Sequence, residues 1–205
     1  MWIQFLNFLQ VFEWHDPSHQ NINDICFATW GFDGGEDVHN AFGLSGEPVA
    51  PQIALSYGDK PIEQNKASEI MAVNIAKREC QKEYMEFWNN SASFTTTGRP
   101  VDGIICPCSP FPAARPNMYY YYGYTTWVNL LDYTSVVVPV LRVDKSIDKV
   151  DSDFKATNEV EQRCHDVYDP EIYDGAHVSL QIVGRRLQEE KMLAIADVAA
   201  VALRN

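Results

Sequence analysis

The sequence predicts an α/β fold, with helices packed against a mainly parallel sheet. Three observations predict it. Residues 104–106 and 136–138 are continuous apolar runs dominated by Ile and Val, which suits strands buried on both faces of a sheet. Residues 65–88 carry apolar side chains at helical spacing. Residues 178–203 pass from an alternating strand pattern to a second helical stripe.

The stretch from Arg99 to Pro139 organises the rest. Pro107 and Pro139 directly follow the two runs and are expected to stop them, because proline cannot donate to a strand ladder. Between them lie Pro110, Pro112, Pro116 and the tyrosine patch from Tyr119 to Tyr124. A long loop therefore leaves the carboxyl end of one strand and returns to build another. Ligands bind outside the carboxyl ends of strands in open α/β sheets, which places a pocket at this loop.

The chain has 205 residues, 46% of them hydrophobic and 21% charged, enough for the core of one domain. Its formal net charge of -12 excludes nucleic acid and anionic membrane surfaces as partners, since both demand basic patches. Five cysteines, an odd count without a framework spacing, indicate reduced thiols and a cytoplasmic setting.

From the amino end, residues 1–14 are apolar but broken by Gln4, Asn7 and Gln10, without the basic start of a signal peptide or the length of a membrane span. They read as an amphipathic helix or a buried strand. His15 and His19 are four apart, but Pro17 between them disfavours the shared helical face that a metal pair needs. Ser18 reads as an N-cap for a helix through Ile22, Ile25, Cys26 and Thr29 toward Trp30. The glycines from Gly31 to Gly35 read as a turn. Gly43-Leu-Ser45-Gly-Glu47 has a glutamate where a nucleophile elbow needs glycine, and reads as a loop.

The helix over 65–88 presents Ile70, Val73, Cys80, Tyr84 and Phe87, with Asn65 as its N-cap and a charged face from Lys77 to Glu83. Asn89-Asn-Ser91 fits a glycosylation acceptor, which carries little weight without a secretory signal. Cys106-Pro-Cys108 has the wrong spacing for a redox pair and no second cysteine pair to complete a metal site, so these read as buried thiols at a strand end. Residues 144–174 hold ten acidic and four basic side chains, a net of -6. They read as a surface excursion with one short helix around residues 159–163. Val178-Ser-Leu-Gln-Ile-Val-Gly184 reads as a strand with Leu180 and Ile182 on one face and Gln181 opposite. Residues 188–203 read as a closing helix with Met192, Ala196, Ala199 and Leu203 on one stripe and Arg204 favouring its end. There are no internal repeats.

These residues carry a family resemblance. The chain resembles the carboxyl-terminal part of an amidase signature enzyme, of the acetamidase-like branch. The matching stretches, in order, are Pro17-Ser-His-Gln20, Asp33-Gly-Gly35, Leu44-Ser-Gly-Glu-Pro48, Lys77-Arg-Glu79, Gly98-Arg-Pro-Val-Asp102, Asn129-Leu-Leu-Asp132 and Val178-Ser-Leu-Gln181. Residues 1–12 fall outside the resemblance, and residues 13–205 are expected to be a partial amidase domain. His177 stands where the family usually has proline. The resemblance implies the carboxyl-terminal portion of the amidase signature fold, a mixed, largely parallel sheet flanked by helices.

It also implies a chemistry. Family members hydrolyse the carbon–nitrogen bond of carboxamides through an acyl-enzyme, with a nucleophilic serine, a second serine in a cis peptide and a lysine base. A lone serine hydroxyl is weakly nucleophilic and needs that activation. This sequence has no Ser-Ser dipeptide and no Gly-Ser-Gly-Gly run, so no catalytic residue is carried over. The resemblance instead offers Tyr124, Thr126 and Trp127 as substrate-binding wall residues, just before the asparagine at Asn129. No metal and no other cofactor is implied.

The expectation is an amidase-family polypeptide that lacks its amino-terminal catalytic half and is inactive alone. A small amide is its substrate only when the missing half completes it, and the uncovered strands are expected to make it self-associate. Two other readings stay open. One is a non-catalytic acidic interaction module that reuses the fold fragment. The other is a thiol hydrolase built on Cys106 or Cys108.

Overall fold

The computed structural model describes residues 10–15 and 19–203, except the side chain of Leu203. Most of the apolar amino-terminal stretch, Ser18 as a cap, Arg204 at the closing helix and part of the Pro17 stretch lie outside the described residues. Of the histidine pair, His15 meets Glu13 at 3.1 Å, while the His19 ring lies 5.7 Å from that of Trp127.

The elements run α1 (His19–Trp30), α2 (Glu36–Ser45), α3 (Pro51–Tyr57), α4 (Ala67–Asn90), β1 (Ile104–Pro107), α5 (Gly123–Leu131), β2 (Thr134–Arg142), α6 (Glu159–Val167), α7 (Pro170–Tyr173), β3 (His177–Gly184) and α8 (Glu189–Leu203). Among the described residues no helix is long and apolar enough to cross a membrane.

The α/β class stands, and helices lie on both faces of the sheet. The strand order is β1-β3-β2, and both pairings are antiparallel. This corrects the parallel pairing that the apolar runs suggested for these strands. Because β3 inserts between the two runs, each becomes an edge strand with one face covered. Ile105 and Val137, in the middle of the runs, are each 56% exposed. A continuous Ile/Val run therefore did not mean burial on both faces. The strand that is buried on both faces is β3, from Gln181 to Gly184.

Pro107 ends β1 as expected, whereas Pro139 does not end β2, which continues to Arg142. An edge strand tolerates a proline that a central strand cannot, and among the described residues the outer side of β2 has no neighbouring strand to receive a donor. The register slips between Pro139 and Leu141, which absorbs the irregularity.

One face of the sheet packs Ile104 and Val183 against Ile22, Cys26, Tyr84, Trp88, Trp127 and Leu130 of α1, α4 and α5. The opposite face packs Val138 and Ile182 against Met192 and Ala196 of α8. Gly184 permits this second contact, since a Cβ there would sit 2.5 Å from the Met192 sulfur.

Helix α1 forms as expected, burying Ile22, Ile25 and Cys26. In α4 the buried residues are Cys80, Tyr84 and Trp88, all on the expected stripe or one turn beyond it. Its N-cap is Lys66 rather than Asn65, and the Lys66 N–H donates to Glu69 Oε2 at 2.8 Å. Gly43 to Ser45, expected in a loop, form the last turn of α2. That helix is bounded by Gly35 and Gly46, both left-handed, while α3 begins on Pro51. These glycine and proline positions are helix-end signals, and they outweigh the weak apolar patterning between them.

The turn at Gly31 to Gly35 is built as read. Asp33 accepts from the backbone N–H groups of Gly35 (2.9 Å) and Asp37 (2.8 Å), which holds its carboxyl below the usual carboxylate range. Gly34 has φ +69°, and a Cβ there would meet the Ile62 carbonyl oxygen at 2.3 Å.

The acidic excursion contains α6 and α7, both N-capped by side chains, Asn158 for Glu161 N–H and Asp169 for Glu171 N–H. Much of its charge is used internally. Lys145 sits 2.9 Å from Glu171 and 3.6 Å from Asp174.

Gln181 is a buried polar residue of the core, with Ser91 and Thr126, and lies 2% exposed at the centre of β3. Its Nε2 donates to the carbonyls of Pro107 (2.9 Å) and Tyr124 (2.6 Å), and its Oε1 accepts from Ser135 Oγ (3.0 Å). Gln181→Leu removes the hydrogen bonds to the Pro107 carbonyl, the Tyr124 carbonyl and the Ser135 hydroxyl, each worth about 0.5–1.5 kcal/mol net. The expected loss is about 2–4 kcal/mol in urea unfolding at an unchanged slope. A loss no larger than that of an exposed substitution on α6 shows that the amide is dispensable.

Candidate functional site

The loop between β1 and α5 begins where Pro107 ends the strand and where Gln181 grips its carbonyl. The aromatic rings then meet edge-on or tilted: Phe111 with Tyr119 at 6.0 Å, Tyr119 with Tyr122 at 4.9 Å, and Tyr121 with Tyr124 at 5.2 Å. Gln52 of α3 clamps the patch from outside. Its Nε2 donates to the Tyr122 hydroxyl at 2.8 Å, and its Oε1 accepts from Tyr119 N–H at 3.3 Å.

The three predicted wall residues lie together in the first turns of α5, in different environments. Tyr124 is half-buried, and its carbonyl accepts from both Gln181 Nε2 (2.6 Å) and Trp127 Nε1 (2.9 Å). Thr126 is 1% exposed and donates to Asn23 Oδ1 of α1 at 3.0 Å. Trp127 is 3% exposed and stacks on Tyr84 of α4 at 5.9 Å. Thr126 and Trp127 are therefore core residues that fix α5, while the Tyr124 ring lies at the edge of the loop. Two surface clefts lie among the described residues, and the loop helps to line one of them through Asn117 and Tyr120. One is lined by Arg99, Asp102, Arg185, Gln188 and Lys191, and the other by Leu55, Asn117, Tyr120, Arg163 and Asp166. Neither takes in Tyr124, Thr126 or Trp127.

Sequence reasoning placed Gln181 on the face opposite Leu180 and Ile182 but missed its role. A lone amide inside an apolar strand is the available signal, because such a group is kept only where partners await it.

All five cysteines are free thiols. Burial pushes the Cys106 thiol up to about 11, and burial also raises Cys108. A thiol nucleophile needs the opposite shift, toward the thiolate. Among the described residues no group of three or more His, Cys, Asp or Glu side chains could hold a metal ion.

The family model described as Amidase matches residues 6–193. The chain belongs to the amidase family. It is 39% identical over 197 residues to an acetamidase of Emericella nidulans, covering 95% of this chain and 35% of that protein. It is 37% identical over 187 residues to an acetamidase of Aspergillus oryzae, covering 91% of this chain and 34% of that protein. The amidase chain thus spans about a third of the length of the curated relatives it matches. Among solved structures it superposes on a fatty acid amide hydrolase with a TM-score of 0.80 at 23% identity, over 98% of this chain and 35% of that one. The fold expected from the resemblance, a portion of the amidase signature fold, is the fold observed.

The shift at Cys106 gives a direct check. Below about pH 10 its thiol stays protonated, since the thiolate fraction grows only as pH approaches the raised value of about 11. At pH 8 alkylation of Cys106 by iodoacetamide is expected to run about 100-fold slower than that of an unperturbed cysteine, whose value is about 8.5. Peptide-resolved mass spectrometry reads the rate, and labelling as fast as a free thiol contradicts the burial described.

Proposed function

We propose that this chain forms the carboxyl-terminal part of a carboxamide hydrolase that cleaves the C–N bond of small amides. The observation that carries the reading is the likeness to acetamidases along nearly the whole chain, 95% of it in one case. The nucleophilic serine, its partner serine and the lysine base come from a part of the polypeptide outside these 205 residues. This part supplies a wall for the acyl group. Tyr124 presents its ring to the substrate, while Thr126 and Trp127 hold the backbone that carries it. The orientation of Tyr124 is set by the two donors on its carbonyl. The substrate is a small molecule. Nucleic acid and membrane surfaces are disfavoured by the net charge of -12, and five free thiols fit a cytoplasmic setting.

The test is ammonia release. The chain alone is expected to hydrolyse acetamide and benzamide no faster than buffer. An enzyme must lower the barrier by at least about 8 kcal/mol, and the activated hydroxyl that achieves it is supplied elsewhere. Combined with a serine-bearing amidase portion, it is expected to release ammonia. In that combined form Tyr124→Ala changes the ratio of kcat/KM between short and bulky acyl groups by about 10-fold or more, the scale of a reshaped apolar pocket. Turnover by the lone chain that survives replacement of both Cys106 and Cys108 shows that the chemistry lies within these residues and sinks the reading.

A further inference from the structure

Helix α4 is 24 residues long, and its two halves differ. The second half is anchored by Cys80 (3% exposed), Tyr84 (3%) and Trp88 (1%). The first half has apolar side chains on more than one side. Ile70 and Val73 are half-buried, whereas Met71 is 64% and Ile75 61% exposed, one turn apart on another face. Residues 70–76 carry no charge, in a chain with 28 acidic and 16 basic side chains. A surface helix ordinarily turns a charged face to water, and one that is apolar on several sides is a buried helix.

We propose that the first half of α4, through Met71 and Ile75, docks against the remaining portion of an amidase polypeptide. The inference rests on the reading of this chain as part of a longer carboxamide hydrolase. Two observations identify the occupant. The fold continues in proteins of which this chain covers only 35%. The sheet is also bare at two corners. Ile105 is exposed on the face that α8 covers over the other strands, and Val137 on the face that α1, α4 and α5 cover. A partner that wraps the helix and continues the sheet covers all three places. A second copy seated on α4 alone does not suffice, because about ten helical residues bury well below the roughly 1,000 Å² that a specific interface requires.

The test uses the 205-residue chain and the part of the Emericella nidulans acetamidase outside the matched segment, co-expressed and then measured by affinity and by hydrogen exchange. Met71→Lys/Ile75→Lys keeps good helix formers at exposed positions, so the circular dichroism of the chain stays unchanged. Leu44→Lys, at a residue 92% exposed on α2, is the control. The wild-type chain and the control are expected to bind alike, with amide protection gained at residues 70–76. The double lysine variant is expected to bind about tenfold more weakly or worse, and Met71→Leu/Ile75→Leu to bind as wild type. Equal binding by the double lysine variant overturns the inference and leaves the amidase reading standing. Absence of both wild-type binding and ammonia release overturns the reading and the inference with it. A defined dimer of the chain that the lysines abolish, with no affinity for the acetamidase portion, makes a second copy the occupant and also overturns it.

Discussion

The structure turns on one buried amide. Gln181 sits at the middle of the central strand and is bonded to three separate segments of the fold. It holds the end of β1 through the Pro107 carbonyl, the edge strand β2 through Ser135, and the start of α5 through the Tyr124 carbonyl. A buried polar side chain is costly unless its donors and acceptors are met, and here both Nε2 and Oε1 are. A hydrocarbon in that position could pack against the same neighbours, but it could not specify where the loop must begin and end. The amide fixes the ends of a loop that has little regular structure of its own.

Helix α1, helix α4, strand β3 and helix α8 were legible in the sequence because each has a strong period and a long run. The α4 cap falls one residue later, at Lys66, because the Glu69 carboxylate accepts from the Lys66 backbone N–H. The two short apolar runs were legible as strands but not in their pairing. Three residues of Ile and Val carry no record of whether the neighbour runs parallel or antiparallel. That is decided by β3, which arrives some forty residues later and inserts between them. Helices α2 and α3 were missed for another reason. They bury no residue fully, so the apolar stripe that marks a helix is faint, and only Gly35, Gly46 and Pro51 mark their ends. The candidate wall was located by resemblance, and its internal differences were not visible. The sequence shows aromatic and hydroxyl side chains in a row, whereas the helix sends Thr126 and Trp127 into the core and leaves Tyr124 at the loop.

The burial of Trp127 also says how the wall should be probed. Removing a ring that is 3% exposed creates a cavity at a cost of about 3–5 kcal/mol, so its loss registers first as instability. Tyr124 is half-buried and is held mainly through its backbone, so its ring is the group that can be altered while α5 stays in place. Fully buried and half-buried side chains thus lie within four residues of one helix.

The same aromatic cluster joins the loop to α4. Trp127 stacks on Tyr84, Tyr84 lies edge-on to Tyr133 at 5.9 Å, and Tyr133 in turn meets Trp88 at 5.4 Å. The second half of α4 is therefore part of the packing that positions α5 and Tyr124. Its first half, with no charge between residues 70 and 76, continues from that packed region toward solvent. One helix then carries a bare apolar end and a buried end that packs against α5. Covering the bare end constrains the helix along its axis, because an α-helix transmits position through its backbone ladder rather than bending at each residue. On the docking proposed above, assembly with the rest of an amidase polypeptide and placement of the proposed acyl-binding wall are both fixed through α4. The loop is thus held at its ends by Gln181, along its length by its own aromatic rings and Gln52, and beyond by the α4 packing that supports the helix after it.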